Sequence, residues 1–207
     1  MFGKNIAKGI YGIKEIIMTY QCGPVLKNDQ KQILYGTILG GSSIIHPERG
    51  KNCYLAMRDH DNVWLSYKIE MLKDFFKLDQ NTIKKDKNTY RCYSVAYPVF
   101  NDIYEMFYKD DVKTITREML EILTDEAWMI WFVDAGRKSK RKAYLRTHKF
   151  GEEGTKIIAE YFNSLDCFCE IHKCRGRFEI VFTNKGAFEF ISVIAPRLPE
   201  FLITKFE

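Results

Sequence analysis

Between Arg137 and Lys149 the chain reads RKSKRKAYLRTHK, with seven lysines or arginines and no acid. Fixed cations at this density suit one task above others, the neutralisation of phosphates with release of their counterions. Within the run, Lys142, Tyr144 and Arg146 alternate with Ala143, Leu145 and Thr147, so a strand here would bury one face and point cations from the other. Lys138, Lys140, Arg141 and His148 flank that strand. A second set, Arg49, Lys51, Asn52, Tyr54 and Arg58, surrounds an earlier strand, and a late hairpin adds Lys173, Arg175 and Arg177. Outward residues of a two-stranded ribbon can enter a major groove, where Arg or Lys reads guanine, Asn reads adenine and neighbouring cations hold phosphate. All of these residues are therefore expected nucleic-acid contacts.

Cys167, Cys169, His172 and Cys174 offer a different chemistry, since they are ligands that zinc takes readily. Their spacing matches no known finger, and on a strand 167 and 169 face one way while 172 and 174 face the other. We read them as structural strand cysteines and expect no metal. A Cys/His nucleophile pair lacks a third group to orient it. The six cysteines, at 22, 53, 92, 167, 169 and 174, include three isolated on apolar strand-like segments. That is the usage of a reducing compartment.

These groups must be positioned by a chain of 207 residues, 46% of them hydrophobic, which suffices for one larger domain or two fused halves. The net charge of +5 is a modest pointer to an anionic partner. Lys8, Lys14 and Glu15 interrupt any signal-peptide core, and no stretch reaches the roughly 20 apolar residues of a spanning helix. The chain reads as intracellular, in cytoplasm, nucleoid or organelle, and off the membrane.

Residues 1–27 form an N-terminal extension with apolar residues at helical spacing through Ile6, Ile10, Ile13 and Ile17. Asn28 is a cap candidate for an apolar helix ending at Gly40, followed by strands over 43–46 and 52–58. The period predicts a helix over 63–76 burying Leu65, Ile69, Leu72 and Phe76. A polar loop, a strand over 90–97, a helix over 99–107 and a short helix near Thr116 follow. Thr124 then caps an almost wholly apolar helix, DEAWMIWFVDAG, that must lie between other elements. A strand over 142–147, a helix over 152–165, a strand pair over 167–173 and 177–183, and a helix over 184–195 complete the series.

The two apolar helices are a faint internal repeat. Setting GTILGGSSI beside IWFVDAGRKS aligns Gly36 with Ile130, Gly41 with Ala135 and Ser42 with Gly136. Here the chain resembles the LAGLIDADG homing endonucleases, in their monomeric branch with two degenerate motifs per chain. The resemblance runs from about residue 28 to the C-terminus. It is carried, in order, by ILYGTILG, WLSYKIEMLKDFF, FNDIYEMFYKDDVKTITREMLEILTDEAWMIWFVDAG, LRTHKF and FEFISVIAPRLP.

The resemblance implies an α+β fold of two pseudo-symmetric αββαββα-like halves, 28–115 and 116–207. Their motif helices would pack at the centre beneath an antiparallel β saddle for nucleic acid. Gly36 and Gly40, at i and i+4, independently suit close helix approach. In the family each motif helix ends in an acid, and the pair holds Mg²⁺ against the scissile phosphates; Mg²⁺ demands hard oxygen ligands. Carried over, those positions are 41 and 135, and this chain has Gly41 and Ala135. Asp134, the neighbouring acid, is the candidate for a residual catalytic role in a still-active nuclease, the least favoured reading; one residue along a helix turns a side chain by about 100°, so we expect it to cap or pair locally with Arg137 or Lys138. Glu48 and Asp59 read as solvated surface charge. The expected protein is a monomeric, intron-encoded homing-endonuclease-like binder of a long duplex DNA site. Cleavage would be lost naturally or removed deliberately, and no cofactor is expected. The alternative is an RNA-binding splicing maturase, or another RNA-bound component, on the same scaffold.

Overall fold

The computed structural model describes residues 23–206, and the expected helix through Ile6 and Ile17 lies outside them. The chain runs through α1 (Asn28–Gly40), β1 (Ser43–Ile45), β2 (Tyr54–Asp59), α2 (Asn62–Met71), β3 (Lys84–Asp86), β4 (Thr89–Tyr93) and α3 (Val99–Phe107). A small hairpin, β5 (Tyr108–Lys109) and β6 (Val112–Lys113), and α4 (Arg117–Glu121) connect onward. The series then repeats as α5 (Asp125–Ala135), β7 (Gly136–Ser139), β8 (Lys142–Arg146), α6 (Gly151–Ser164), β9 (Cys169–Cys174), β10 (Arg177–Phe182) and α7 (Asn184–Ile194), with α8 (Glu200–Phe206) last. The two sheets have corresponding orders, β1-β2-β4-β3 and β7-β8-β10-β9, and every pairing is antiparallel. This is the α+β fold of two pseudo-symmetric halves.

Each half rests on a motif helix. α1 buries Gln30 and every residue from Ile33 to Leu39, and α5 buries Ala127 through Phe132 together with Ala135. Helices apolar around most of their circumference have no face to offer water, so they pack on each other at the centre. Two glycines set their separation. A Cβ on Gly36 would stand 2.5 Å from the Ala127 carbonyl oxygen and 2.7 Å from Ile130 Cβ, and one on Gly40 would overlap the Asp134 side chain.

The sheets sort their side chains by strand alternation. In the first, Leu55 and Met57 pair with Ile44 and Cys92 on the buried face, leaving Tyr54, Ala56 and Arg58 on the other. In the second, Ala143 and Leu145 pair with Phe182 and Ile180 toward the core. Beneath them Phe162, Phe182 and Phe190 cluster with ring centroids 4.8–5.3 Å apart.

Several expectations need correction. Lys27, not Asn28, occupies the cap position of α1, and its N–H donates to Gln30 Oε1 at 3.2 Å. The helix over 63–76 stops at Met71 and continues as a 3-10 turn, Lys73–Phe75, which still buries Leu72 and Phe76. Thr124 stands at the cap of α5 without a side-chain bond; its N–H instead donates to Gln32 Oε1 of α1 at 2.9 Å. Strands β3 and β7 escape a hydrophobic-pattern reading because they are charged edge strands, KKD and GRKS, a composition that discourages edge-to-edge pairing.

Candidate nucleic-acid interface

The open face of the second sheet carries Lys142, Tyr144 and Arg146 as the alternation predicted, with Ala143, Leu145 and Thr147 buried behind them. Register adds Arg137, opposite Tyr144, whose guanidinium carbon stands 3.5 Å above the Tyr144 ring centroid while a terminal nitrogen reaches Glu179 at 3.5 Å. Arg177 lies exposed on the same face. In the first sheet Tyr54 and Arg58 share the open face with Arg91 and Lys84, and Asp86 bridges Arg58 and Arg91 at 3.5 Å each. Arg49 and Lys51 are exposed and Asn52 half-buried in the loop between β1 and β2, where Asn101 ties Lys51 and Asn52 down. His148 is exposed beyond β8, and burial together with Lys149, Arg177 and Arg146 pulls its imidazole below the usual histidine range.

Two predicted contacts fall on the opposite face. Lys138 pairs with Ala143 and Lys173 with Phe178, so both project toward the helices, and the Lys173 ammonium stands 4.8 Å from the Phe178 ring centroid. Lys138, Lys140, Arg141 and Lys142 line a cavity of about 430 Å³ with Phe188 and Ile191 of α7. Arg175 sits exposed in the turn between β9 and β10. A basic run cannot reveal these sides while the edge strand β7 goes unrecognised, because alternation assigns faces only after register is known.

The ends of the motif helices meet between the two sheets, since α1 and α5 lead directly into β1 and β7. At the end of α1 Gly41 presents only backbone, and the Lys149 ammonium donates to its carbonyl at 2.8 Å from the other half of the chain. Lys113 lies beneath, donating to the carbonyls of Ile38 at 2.7 Å and Ser42 at 2.8 Å. At the end of α5 Arg146 donates through Nε to the Ala135 carbonyl and through a terminal nitrogen to the Asp134 carbonyl, both at 3.0 Å. These terminal carbonyls lack partners within their helices and carry the negative end of the helix dipole, so cations cap them well.

Burial pushes Lys113 down to about 7, with Lys149 as the second cause. An unfolded lysine keeps its proton to about pH 10. Below pH 7 both states are protonated, whereas above it the unfolded chain binds more protons and stability rises with pH. Relative to Lys113→Met, the wild-type chain is expected to gain roughly 1–2 kcal/mol between about pH 7 and pH 8.5. Urea unfolding at the two pH values reads this directly, and an unchanged difference would show that Lys113 keeps its charge in the fold.

Asp134 pairs neither with Arg137 nor with Lys138 in the way the sequence suggested. Its carboxylate accepts from Lys68 Nζ at 2.8 and 3.0 Å and from Trp64 Nε1 at 2.5 Å, both on α2 of the other half. Lys68 also reaches Asp59 at 3.4 Å, so Asp59 is a partner of a buried lysine and not a free surface charge. Burial pushes the Asp134 carboxyl up from the usual range, opposed by Lys68 and Trp64. Committed in this way, Asp134 supplies no exposed oxygen at the helix ends.

These residues do not fit the divalent cation that the LAGLIDADG resemblance implies. Gly41 and Ala135 lack side-chain oxygens, Asp134 is engaged elsewhere, and an ammonium stands 2.8 Å from the Gly41 carbonyl. Among the described residues, no group of three or more His, Cys, Asp or Glu could hold a metal ion. Cys169 is buried, and burial raises its thiol to about 12. No helix among them is long and apolar enough to cross a membrane.

Comparison with known proteins agrees with this architecture. The chain is 23% identical over 188 residues to an uncharacterized protein of Methanocaldococcus jannaschii, covering 84% of this chain and 72% of the relative. It is 27% identical over 128 residues to intron-encoded endonuclease ai4 of Dictyostelium discoideum, covering 60% and 80%. Among solved structures, the homing endonuclease I-WcaI bound to its DNA recognition sequence superposes with a TM-score of 0.79 at 20% identity, over 92% of both chains. The model for the LAGLIDADG DNA endonuclease family matches residues 31–190. With the paired helices and twin sheets, that match shows that this chain belongs to the LAGLIDADG DNA endonuclease family.

Proposed function

We propose that this chain binds a long duplex DNA site as a monomer, with halves 28–115 and 116–207 each covering part of the site, and that it does not cut. The observation that carries the reading is the chemistry where the helices end. Both positions expected to carry acids lack them, and Lys149 and Arg146 take hydrogen-bonding places there, while the open sheet faces keep Arg58, Arg91, Lys142, Arg146 and Arg177. The I-WcaI structure holds DNA and is similar over nearly the whole length, which supports duplex DNA as the ligand.

The test is selection of duplexes from a randomised pool, followed by gel-shift competition against structured RNA and incubation with Mg²⁺ or Mn²⁺. We expect an enriched duplex sequence, no nicked product, and affinity falling steeply with salt along a slope set by the phosphates neutralised. Tight binding of structured RNA with no enriched duplex would replace this reading with an RNA-bound component such as a splicing maturase. Metal-dependent nicking would overturn the claim of silence.

A further inference from the structure

The two cations at the helix ends are more than caps. An ammonium has three N–H donors, and the Gly41 carbonyl takes one from Lys149. Lys149 is exposed, so its other donors are open to a ligand from the solvent side. Arg146 is likewise exposed and uses Nε and one terminal nitrogen on the Ala135 and Asp134 carbonyls, leaving part of its donor fork available. Both groups are thereby held in place before any ligand arrives, which lowers the entropy lost on binding. One belongs to each helix end, between the two sheets, and Lys113 beneath adds a third basic group to the cluster.

We infer that Lys149 and Arg146 form a metal-free phosphate-binding site, gripping phosphodiester oxygens of the duplex backbone as it passes over the helix ends. The inference rests on the duplex-binding reading above and specifies how its middle is held. It explains why a cation sits beside Gly41 with nothing acidic at that helix end. A divalent ion and a fixed ammonium would repel each other there, whereas backbone phosphates, each carrying one negative charge, attract both fixed cations. The recognition is of charge and backbone shape, with no base read at this point.

The experiment uses the full chain and a duplex that the protein itself selects from a randomised pool. Binding is measured in EDTA and in Mg²⁺, on native duplex and on duplexes with single neutral methylphosphonate linkages at each central step. We expect affinity in EDTA to be no weaker than in Mg²⁺, and a neutral linkage at one or two central steps to cost about tenfold, the size of a lost hydrogen bond to a charged group. Lys149→Met should lose a similar factor on native duplex, become indifferent to those linkages and reduce the salt slope by about one. Lys149→Arg should keep most of the affinity. The linkage scan on the wild-type chain needs no variant, so a misfolded substitution leaves the test intact. Binding that requires Mg²⁺, indifference of the wild-type chain to every central linkage, or an unchanged salt slope in Lys149→Met would overturn the inference while duplex binding stood. Failure to bind any duplex would overturn both.

Discussion

Asp134→Ala is expected to destabilise the fold by about 3–5 kcal/mol, the cost of stranding one partner of a buried ion pair. Lys68, 1% exposed, would keep only Asp59 at 3.4 Å, and the Trp64 indole N–H would lose its acceptor. Removing an acid near the negative end of α5 should return some energy, but that contribution is roughly 0.3–1 kcal/mol and does not change the sign. The pair joins α2 of one half to α5 of the other, so its loss should also loosen the seat of the motif helices. Thermal or urea unfolding measures the effect, and a cycle with Lys68→Met separates pair from site. Combined with Asp134→Ala, Lys68→Met should recover much of the loss, because no uncompensated buried charge then remains. A loss below about 1 kcal/mol in Asp134→Ala would place the pair among weakly contributing surface bridges.

Gly36→Ala should destabilise by about 1–3 kcal/mol, against the helix propensity that by itself favours alanine by about 1 kcal/mol. The opposing terms make its sign informative. A Cβ at this position would lie 2.5 Å from a backbone oxygen, Ala127 O, and backbone in a buried helix has little room to yield. The two helices would have to separate, opening the contact of Gly36 with Ala127 and Ile130 in a core where Ile33, Leu34, Ile38 and Met129 are also buried. Urea midpoints decide the matter: stabilisation by alanine would mean that Gly36 does not set the helix separation.

Much of the architecture was legible because local patterns carry it. The all-round apolarity of α5 and of α1 required burial, Gly36 and Gly40 required a close neighbour, and the alternation at 142–147 assigned faces correctly. The motif order also pointed to the family, and the missing acids at 41 and 135 were visible at once. Strands β3 and β7 were not, since edge strands of charged residues lack the hydrophobic period on which such a reading depends. The face of Lys138, on β7, went with them, whereas Lys173 lies on the recognised strand β9 and its side was fixed by the pairing with Phe178.

By itself, then, the sequence determined which helices are central, which residues a catalytic family member would have needed there, and that a cationic surface accompanies them. Only tertiary structure decided what stands in their place. Lys149 lies 108 residues from Gly41, Lys68 lies 66 from Asp134, and Lys113 lies 75 from Ile38. No spacing rule reaches across such separations, because they are closed by tertiary packing, between the halves for Lys149 and Lys68 and within the first half for Lys113, and not by the period of any helix or strand. A lone lysine in a basic run and a lone lysine in an amphipathic helix look alike in sequence. One caps a helix end where an acid would stand, and the other clamps the halves together, because the fold brought different carbonyls and carboxylates within reach.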